Sequence, residues 1–451
     1  MFDVSNVYSG EEQYLNVLEA ILNDGTPKGD RTGTGTLSSF GQVMRFDLSD
    51  NAIPLLTTKQ MYHKSFTHET LWFISGSTDV KYLKDHGISI WDSWVIPETA
   101  VYRDKTNEEL LAQIGKKFES TEVNVYCVLA SHFADIPKQH GVNALGNCLV
   151  KLTLKEDGSK TVDVYGSVAD HADIGSVMRY VAAELEIPTQ VLAGGSIGNG
   201  AYGVMWRNIE DTRLVDNGQA LNSPKYKSFQ LVGVVPDGRA VVTRKIDQLQ
   251  NAIDLLRTNP DSRRIIVHAF DNRMVDFCAL PPCHAFFQFW TRELELNERL
   301  RWMERNDPSL TEMFNYRLRQ TKLIFSSEQH MAWLTDNKVP ARALSCMLYQ
   351  RSADYPVGIP FNMAQYALLT HMVAQVTNMV AEELIHVTGD SHIYQNQVDL
   401  VEEQLTRAII DQETRVILNT DVKEIDDFTF EDIAITGYDH YHPAIKYPVA
   451  V

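Results

Sequence analysis

The chain has 451 residues, of which 44% are hydrophobic and 22% are charged, which is a globular composition and excludes a disordered chain. Its formal net charge of −18 argues against a surface built to grip nucleic acid, although a few local arginines can still bind a small anion. The five cysteines lack CxxC spacing, so neither a disulfide framework nor a metal site is expected, and a reducing compartment is favoured.

The first part of the chain predicts two helices on either side of a turn and a strand. Apolar residues at helical spacing over 11–23 predict an amphipathic helix, and a second helix is predicted over His63–Ile74. Between them, GDRTGTGTLSSFG predicts a turn that leads into a strand near residues 43–46. Neither a signal peptide nor a membrane-spanning run is recognisable, so we expect a cytoplasmic protein that does not contact a membrane.

Three stretches differ in residue composition and pattern from the rest of the chain. Residues 95–195 contain helical and strand patterns that predict a small α+β subdomain. Residues 208–245 predict a loop with a hairpin that turns at residues 236–238. Residues 291–343 are charged and predict helices.

A cysteine follows two prolines and precedes an apolar strand. In LPPCH, residues 280–284, the prolines extend the backbone, and residues 285–290 predict a buried strand. Cys283 at the start of a core strand suits a nucleophile, but a buried inert thiol fits the same local pattern. His284 is expected on the opposite face of the strand, so adjacency alone does not make it the base of the thiol.

Arginines beside small hydroxyl residues occur at three places. Arg31 precedes a Thr-Gly-Thr turn, and Arg263 and Arg264 open a predicted strand. Gln350, Arg351 and Ser352 end another predicted strand, in which Leu344, Cys346 and Leu348 alternate. The planar guanidinium fork suits the paired oxygens of a phosphate monoester, whereas solvation and ion pairing explain any single arginine better. Neither RTGTGT nor GGSIGNGAYG fits a Walker or GxGxxG loop, so no dinucleotide site is predicted.

Three further segments carry polar side chains suited to a ligand. Glu69 lies in an otherwise apolar helix face, where a carboxylate is costly unless it is hydrogen-bonded or functional. Asn362 opens a helix predicted to end near Thr377, where it can either cap the helix or recognise a ligand edge. His392 and Tyr394 are two apart and share one face if the backbone is extended.

Together these segments resemble the thymidylate synthase family. The matching strings follow the family order: DRTGTGT, LLTTK, HETLWFISG, IWDSW, YGVMWR, DSRRII, LPPCHAFFQF, LYQRSADYPVGIPFNMAQYALL, GDSHIYQNQ and the terminal PVAV. The resemblance implies one α+β domain over residues 1–451, with a mixed β-sheet packed against helices and a homodimer formed through the sheet. It makes the stretches at 95–195, 208–245 and 291–343 insertions relative to the family pattern.

The implied activity is the reductive methylation of dUMP to dTMP. The cosubstrate would be 5,10-methylenetetrahydrofolate, and no metal is implied. Cys283 would add to carbon 6 of dUMP, so that carbon 5 becomes the nucleophile that takes up the one-carbon unit. Hydride from the folate would complete the methyl group and leave dihydrofolate.

The resemblance also assigns residues to each part of the site. The catalytic group would be Cys283, Glu69, Tyr202, His284, Asn362 and Arg351. Substrate binding would use Arg31, Gln350, Arg351, Ser352, Asp354, Asn362, His392 and Tyr394, together with Arg263 and Arg264 reaching over from the partner subunit. The folate pocket would be formed by Trp91, Leu280, Asp354, Gly358, Phe361 and the terminal Val451, which would close over the site.

Two departures from the family pattern stand out. Gly200 and Ala201 replace Pro-Val before Tyr202, which leaves the placement of Tyr202 open. Tyr62 and Lys64 differ from the family near the expected folate tail, which could alter the affinity for polyglutamyl folate.

Two other functions stay open from the sequence. A dUMP hydroxymethylase would add water instead of hydride, and a catalytically inactive relative would serve as a binding or assembly protein. Trp91 and the intact PVAV tail favour hydride transfer, because that step needs a site that excludes water.

Overall fold

The computed structural model describes residues 10–96, 102–104, 144–145, 148–154, 160–166, 190–192, 195–216, 223–234, 239–320 and 326–450. The chain divides into two compact units. The first consists of Met1–Trp94, Asn199–Arg207 and Asp247–Val451, and the second of Val95–Gly198 and Asn208–Ile246. Within the described ranges, no helix is long and apolar enough to cross a membrane.

The α-helices described all belong to the first unit. They are α1 (Gly10–Asp24), α2 (His63–Ile74), α3 (Lys81–Asp85), α4 (Tyr202–Arg207), α5 (Gln248–Thr258), α6 (Leu296–Asn306), α7 (Pro308–Gln320), α8 (Ser327–Asp336), α9 (Gly358–Val376) and α10 (Val398–Leu405).

Strands are described in both units. Those of the first unit are β1 (Thr26–Lys28), β2 (Thr36–Asp47), β11 (Ile266–His268), β12 (His284–Glu293), β13 (Arg342–Asp354), β14 (Val380–Tyr394), β15 (Arg415–Leu418) and β16 (Ile433–Thr436). Those of the second are β3 (Tyr102–Asp104), β4 (Ala144–Leu145), β5 (Cys148–Leu154), β6 (Lys160–Gly166), β7 (Gln190–Leu192), β8 (Ile209–Asp216), β9 (Gln230–Val234) and β10 (Arg239–Ile246).

Six strands form the main sheet of the first unit, in the order β1-β2-β14-β13-β12-β11. The central pair β13 and β14 runs parallel, with Leu348 opposite His386. All the other neighbours are antiparallel. The sheet is therefore mixed, and with helices packed on it the predicted α+β fold is confirmed.

Helix α9 covers the inner face of this sheet and packs on β13 and β14. It is buried along almost its whole length, as expected for a helix that is apolar on every side. Leu344, Cys346 and Leu348, whose spacing predicted strand β13, are all fully buried. The opposite face of the sheet carries partly exposed residues.

The predicted helices near the N-terminus are confirmed. Helix α1 buries Tyr14, Leu18 and Ile21 on one side, and α2 has the predicted bounds. The strand predicted near residues 43–46 is only the end of β2, which starts at Thr36. Its first half, TLSSFGQ, lacks a continuous apolar alternation, so periodicity alone could not detect it.

The second unit contains small antiparallel sheets. The predicted hairpin is formed by β9 and β10, and β8 pairs with the other edge of β10. Ala240 and Val242 are buried against Val215, Phe229 and Leu231. The hairpin turn and much of the predicted α+β subdomain lie outside the described residues.

The charged stretch 291–343 forms three helices between two strands of the main sheet. Its two ends belong to β12 and β13, and α6, α7 and α8 lie among the described residues between them. Arg299 is almost fully buried among them and donates to the Val339 carbonyl at 2.7 Å. That this stretch and the two others are insertions stays a prediction.

Candidate active site

One cavity of the first unit collects most of the residues that the sequence singled out. Its volume is about 760 Å³, which lies within the range of roughly 300–1,000 Å³ that is usual for ligand pockets. The residues predicted for phosphate and sugar line it: Arg31, Arg351, Ser352, His392 and Tyr394. So do those predicted for the uracil chemistry: Glu69, Cys283, His284, Gln350 and Asn362. Five predicted folate residues complete the set: Trp91, Leu280, Asp354, Gly358 and Phe361.

Cys283 stands directly before β12, with its backbone held on both sides. Its N–H donates to the Tyr202 hydroxyl at 2.7 Å, and its carbonyl accepts from the N–H of Arg351 at 2.9 Å. The Arg351 guanidinium also donates to the carbonyls of Pro281 and Pro282, at 2.7 and 2.9 Å. These bonds fix the extended segment before the cysteine, so the thiol occupies a defined place in the cavity.

Three influences act on the charge state of Cys283. Burial raises the pKa of its thiol, while the Arg351 guanidinium acts to lower it and Asp354 acts to raise it. Burial dominates, so the resting group is a protonated thiol at neutral pH. Attack on a ligand carbon therefore requires loss of the thiol proton, and Arg351 is the cation that favours this loss.

Cys283 and His284 both line the cavity, so the expectation that they point to opposite faces is wrong. Cys283 precedes β12, which begins at His284, so Cys283 lies outside the strand. Alternation of side chains holds between residues of a strand and does not extend to the residue before it. Burial lowers the pKa of His284 to about 4, so its ring is neutral near pH 7.

Glu69 is the buried carboxylate of the site. It is 8% exposed on α2, and the Trp91 indole N–H donates to it at 2.7 Å. Burial raises the pKa of Glu69 to about 7, against the opposing effect of the Trp91 hydrogen bond. Trp91 packs against Tyr202 and Trp94, with ring centroids 6.1 Å away in both cases. A carboxyl group that titrates near neutral pH can both donate and accept a proton.

The start of helix α9 decides whether Asn362 caps the helix. Helix α9 begins at Gly358, with Val357 as its N-terminal cap, so Asn362 lies inside the helix and does not cap it. Its side chain lines the cavity and hydrogen-bonds His284. The capping interpretation of Asn362 is therefore wrong, and the ligand interpretation stays a prediction.

Arg31 sits in a turn that its neighbours stabilise. Asp30 accepts from the backbone N–H groups of Thr32 and Gly35, both at 2.6 Å. The Thr32 hydroxyl and these bonds lower the pKa of Asp30. Gly33 and Gly35 have φ angles of 75° and 81°, which glycine adopts without strain.

Asp390 is a lining residue that the sequence analysis did not single out. Its carboxylate pairs with Lys28 at 2.6 Å, accepts from Ser38 at 2.7 Å and lies 3.2 Å from Nδ1 of His392. A period of two places Asp390 on the same face of β14 as His392 and Tyr394. The sequence GDSHIY contains this alternation, so extending the His392 and Tyr394 argument by two residues could have identified Asp390.

The C-terminal tail reaches the cavity. Val449 and Ala450 line it, whereas the terminal Val451 lies outside the described residues. The Gln397 amide donates to the Pro448 carbonyl at 2.9 Å and to both oxygens of Asp354 at 3.3 Å. Burial raises the pKa of Asp354 to about 6. The Gln397 amide thus connects the C-terminal tail to Asp354 in the cavity lining.

The structure does not bring every predicted residue to the cavity. Arg263 and Arg264 are exposed just before β11 and are absent from its lining. Tyr202 is also absent from the lining, and its hydroxyl accepts a hydrogen bond from the backbone N–H of Cys283. The surroundings of Gly200 explain why glycine replaces the usual residue two positions before Tyr202. A Cβ at residue 200 would come within 2.5 Å of Cys278 Sγ.

A partly buried thiol, two arginines, an amide and a carboxyl group with a pKa of about 7 share one cavity, and this set suits an enzyme that acts on an anionic ligand. The thymidylate synthase family model matches residues 12–451 of the chain. The thymidylate synthase of Mycoplasma mobile is 34% identical over 440 residues, covering 98% of this chain and 100% of that relative. The chain belongs to the thymidylate synthase family, and it is a methyltransferase.

Proposed function

We propose that the enzyme methylates dUMP reductively to dTMP, with 5,10-methylenetetrahydrofolate as the donor of carbon and hydride. The observation that carries the proposal is Cys283, fixed in a cavity together with Arg31, Arg351 and Asn362. A thiol suits addition to an electron-poor carbon, the arginines suit a phosphate, and the amide suits the edge of a pyrimidine.

Different lining residues would hold the phosphate, the sugar and the pyrimidine of dUMP. Arg31, Arg351 and Ser352 would bind the phosphate, since all three line the cavity. His392 and Tyr394 would hold the sugar hydroxyl, and their rings pack edge to face at 5.1 Å. Addition of Cys283 would then occur next to Asn362 and His284.

The lining also fits the proposed folate. Trp91, Leu280 and Phe361 provide apolar surface for a flat ring system, and Asp354 provides a carboxyl group that can bind its polar edge. When bound, the folate supplies the one-carbon unit and the hydride. Trp91 and the tail residues Val449 and Ala450 would exclude water from the reacting atoms.

Glu69 would manage the protons of the reaction. With a pKa of about 7 it can hold or release a proton near neutral pH. His284, neutral and hydrogen-bonded to Asn362, would extend this polar group towards the pyrimidine. Tyr202 would act from behind, by holding the backbone N–H of Cys283.

A product assay tests the proposed function. Incubation of the enzyme with dUMP and 5,10-methylenetetrahydrofolate is expected to yield dTMP and dihydrofolate in equal amounts. Chromatography of the nucleotides and absorbance of the folate measure both products. Hydroxymethyl-dUMP with tetrahydrofolate would establish the hydroxymethylase instead. Absence of any turnover, with dUMP still bound, would favour the inactive binding protein.

The proposal includes a reducing, cytoplasmic setting. Cys278, Cys283 and Cys346 are free thiols within the described residues. A nucleophilic cysteine must stay reduced to act, and a cytoplasmic compartment maintains that state.

The proposal also includes a homodimer formed through the main sheet. Phe286, Tyr349, Val387 and Val43 pair directly across four adjacent strands, on the face opposite to α9. Val43 is 56% exposed, and Trp290, on the same face of β12 as Phe286, is 59% exposed. A continuous apolar row on an open sheet face is typical of a protein interface. A second copy packed on it would bring its own Arg263 and Arg264 towards this cavity.

Mixing two inactive variants is expected to restore activity. One variant carries Cys283→Ala, and the other carries Arg263→Ala with Arg264→Ala. In a mixed dimer, one cavity would combine an intact cysteine with intact partner arginines. Random re-pairing should therefore recover about one quarter of the wild-type activity. Turnover measured before and after joint unfolding and refolding checks this.

Two further measurements make the dimer proposal specific. Val43→Glu should shift the protein to monomers in sedimentation equilibrium, whereas Tyr316→Glu, at a similarly exposed apolar residue of α7, should not. Full activity of the arginine double variant, or no recovery on mixing, would contradict the proposed role of the partner's arginines.

A further inference from the structure

A row of three polar side chains crosses the buried face of the main sheet. His284, Gln350 and His386 come from the adjacent strands β12, β13 and β14, with His284 paired directly to Gln350. Gln350 and His284 line the cavity, whereas His386 does not and is 0% exposed. His386 therefore stands one layer behind the site and has no role in the function proposed above.

The hydrogen bonds of Gln350 fix the orientation of its amide. Its Nε2 donates to the backbone carbonyl of Ser352 at 3.1 Å, and its Oε1 lies 2.9 Å from Nε2 of His386. A backbone carbonyl can only accept, so the nitrogen of the amide must face Ser352. The oxygen then faces His386, and the imidazole must be the donor.

The state of His386 agrees with this assignment. Burial, together with the neighbouring His284, lowers the pKa of His386 to about 3, so the ring is neutral and carries one N–H. Nδ1 of His386 has no hydrogen-bond partner among the described residues. The single proton is therefore on Nε2, where it is donated to Gln350.

We propose that His386 is a positioning residue that locks the Gln350 amide so that its second N–H is offered to the substrate. A ligand atom at this point must be an acceptor, and a pyrimidine carbonyl oxygen has that chemistry. The inference rests on the proposed function, because it assigns this N–H to dUMP. Without the His386 donor, the amide would rotate about its last torsion and the N–H would lose its direction.

A double-mutant cycle tests whether His386 acts through Gln350. The variants are His386→Leu, Gln350→Leu and the combination, and dUMP binding is measured by calorimetry. His386→Leu is expected to weaken dUMP binding about tenfold in the wild-type background, the scale of one lost hydrogen bond. In the Gln350→Leu background the same change should weaken binding by less than about twofold, because the amide is gone. An undiminished tenfold loss there would overturn the inference.

Two control variants separate positioning from general destabilisation. His386→Gln keeps an N–H donor and should bind dUMP within about twofold of the wild type. His371→Leu removes another buried histidine, which bonds the Ala52 carbonyl at 2.8 Å outside the cavity. It should lower the thermal midpoint without changing dUMP affinity.

The outcomes distinguish this inference from the proposed function. Should His386→Leu fail to fold, His386→Met takes its place in the cycle, because methionine fills a similar volume and also lacks an N–H donor. A tenfold loss that persists in the Gln350→Leu background then overturns the inference. If dUMP binds and turns over normally but the cycle is additive, the function stands and the inference fails. If the unchanged enzyme does not bind dUMP, both fail.

Discussion

Replacing Cys283 with alanine is expected to reduce turnover by a factor of roughly 10⁴ or more. The side chain is the nucleophile proposed for the reaction, and no other cysteine lines the cavity among the described residues. The backbone of residue 283 would keep its bonds to Tyr202 and Arg351, since both involve main-chain atoms. Steady-state formation of dTMP measures the loss, and calorimetry should show that dUMP still binds.

The matched control is Cys278→Ala. Cys278 is also a partly buried thiol, and burial raises its pKa to about 11, but it bonds the Met274 carbonyl and lies outside the cavity lining. Its loss should leave turnover within about twofold, as for a substitution that removes only packing. Mass spectrometry adds a direct test, because a covalent adduct with 5-fluoro-dUMP should form in the control and not in Cys283→Ala. Comparable activity of the two variants would remove Cys283 from the mechanism.

Replacing Glu69 with glutamine should lower kcat/KM by roughly 10²–10⁴, the usual contribution of a positioned acid–base group. The glutamine keeps the size of the side chain and a hydrogen bond with Trp91, but it cannot exchange a proton. The wild-type pH–rate profile should contain a step near pH 7, because burial raises the pKa of Glu69 to about 7. This step should be absent from the variant.

The same substitution should change how stability depends on pH. The folded pKa of Glu69 lies above its unfolded value of 4.5, so its neutral form stabilises the fold most below pH 4.5. This contribution is lost as the pH rises through about 7, because the folded state must then ionise a buried carboxyl group. The glutamine of Glu69→Gln does not ionise, so the variant avoids this loss. The difference in free energy of unfolding between variant and wild type should therefore shift in favour of the variant by up to about 3 kcal/mol from acid to alkaline pH. Denaturant titrations at pH 5 and pH 9 measure the difference.

Glu11→Gln is the control for both measurements. Glu11 is equally buried, at 8% exposure, but it accepts hydrogen bonds from the backbone N–H groups of Thr57 and Thr58 and does not line the cavity. This variant should be less stable, because the amide cannot accept all of those bonds, and it should keep the step near pH 7. Persistence of that step in Glu69→Gln would show that another group titrates there.

Much of the fold was predictable because local patterns decide it. Helix α2 has the bounds that its sequence predicted, and the alternation of Leu344, Cys346 and Leu348 identified the central strand. The start of β2 and all of β8 escaped prediction, because they lack a strong apolar period. The opposite placement expected for Cys283 and His284 was wrong, because Cys283 lies before the start of β12, where strand alternation does not apply.

The sequence by itself determined which residue types are available: a cysteine behind two prolines, arginines beside hydroxyl groups, and a carboxylate in an apolar helix. Only the tertiary structure decided what each of them touches. Tyr202 supports a cysteine 81 positions away, and Lys28 pairs with Asp390 across 362 positions. His386 reaches Gln350 between two parallel strands. Such contacts depend on which strands pair and in which register, and this is set by burial over the whole sheet, which no short segment encodes.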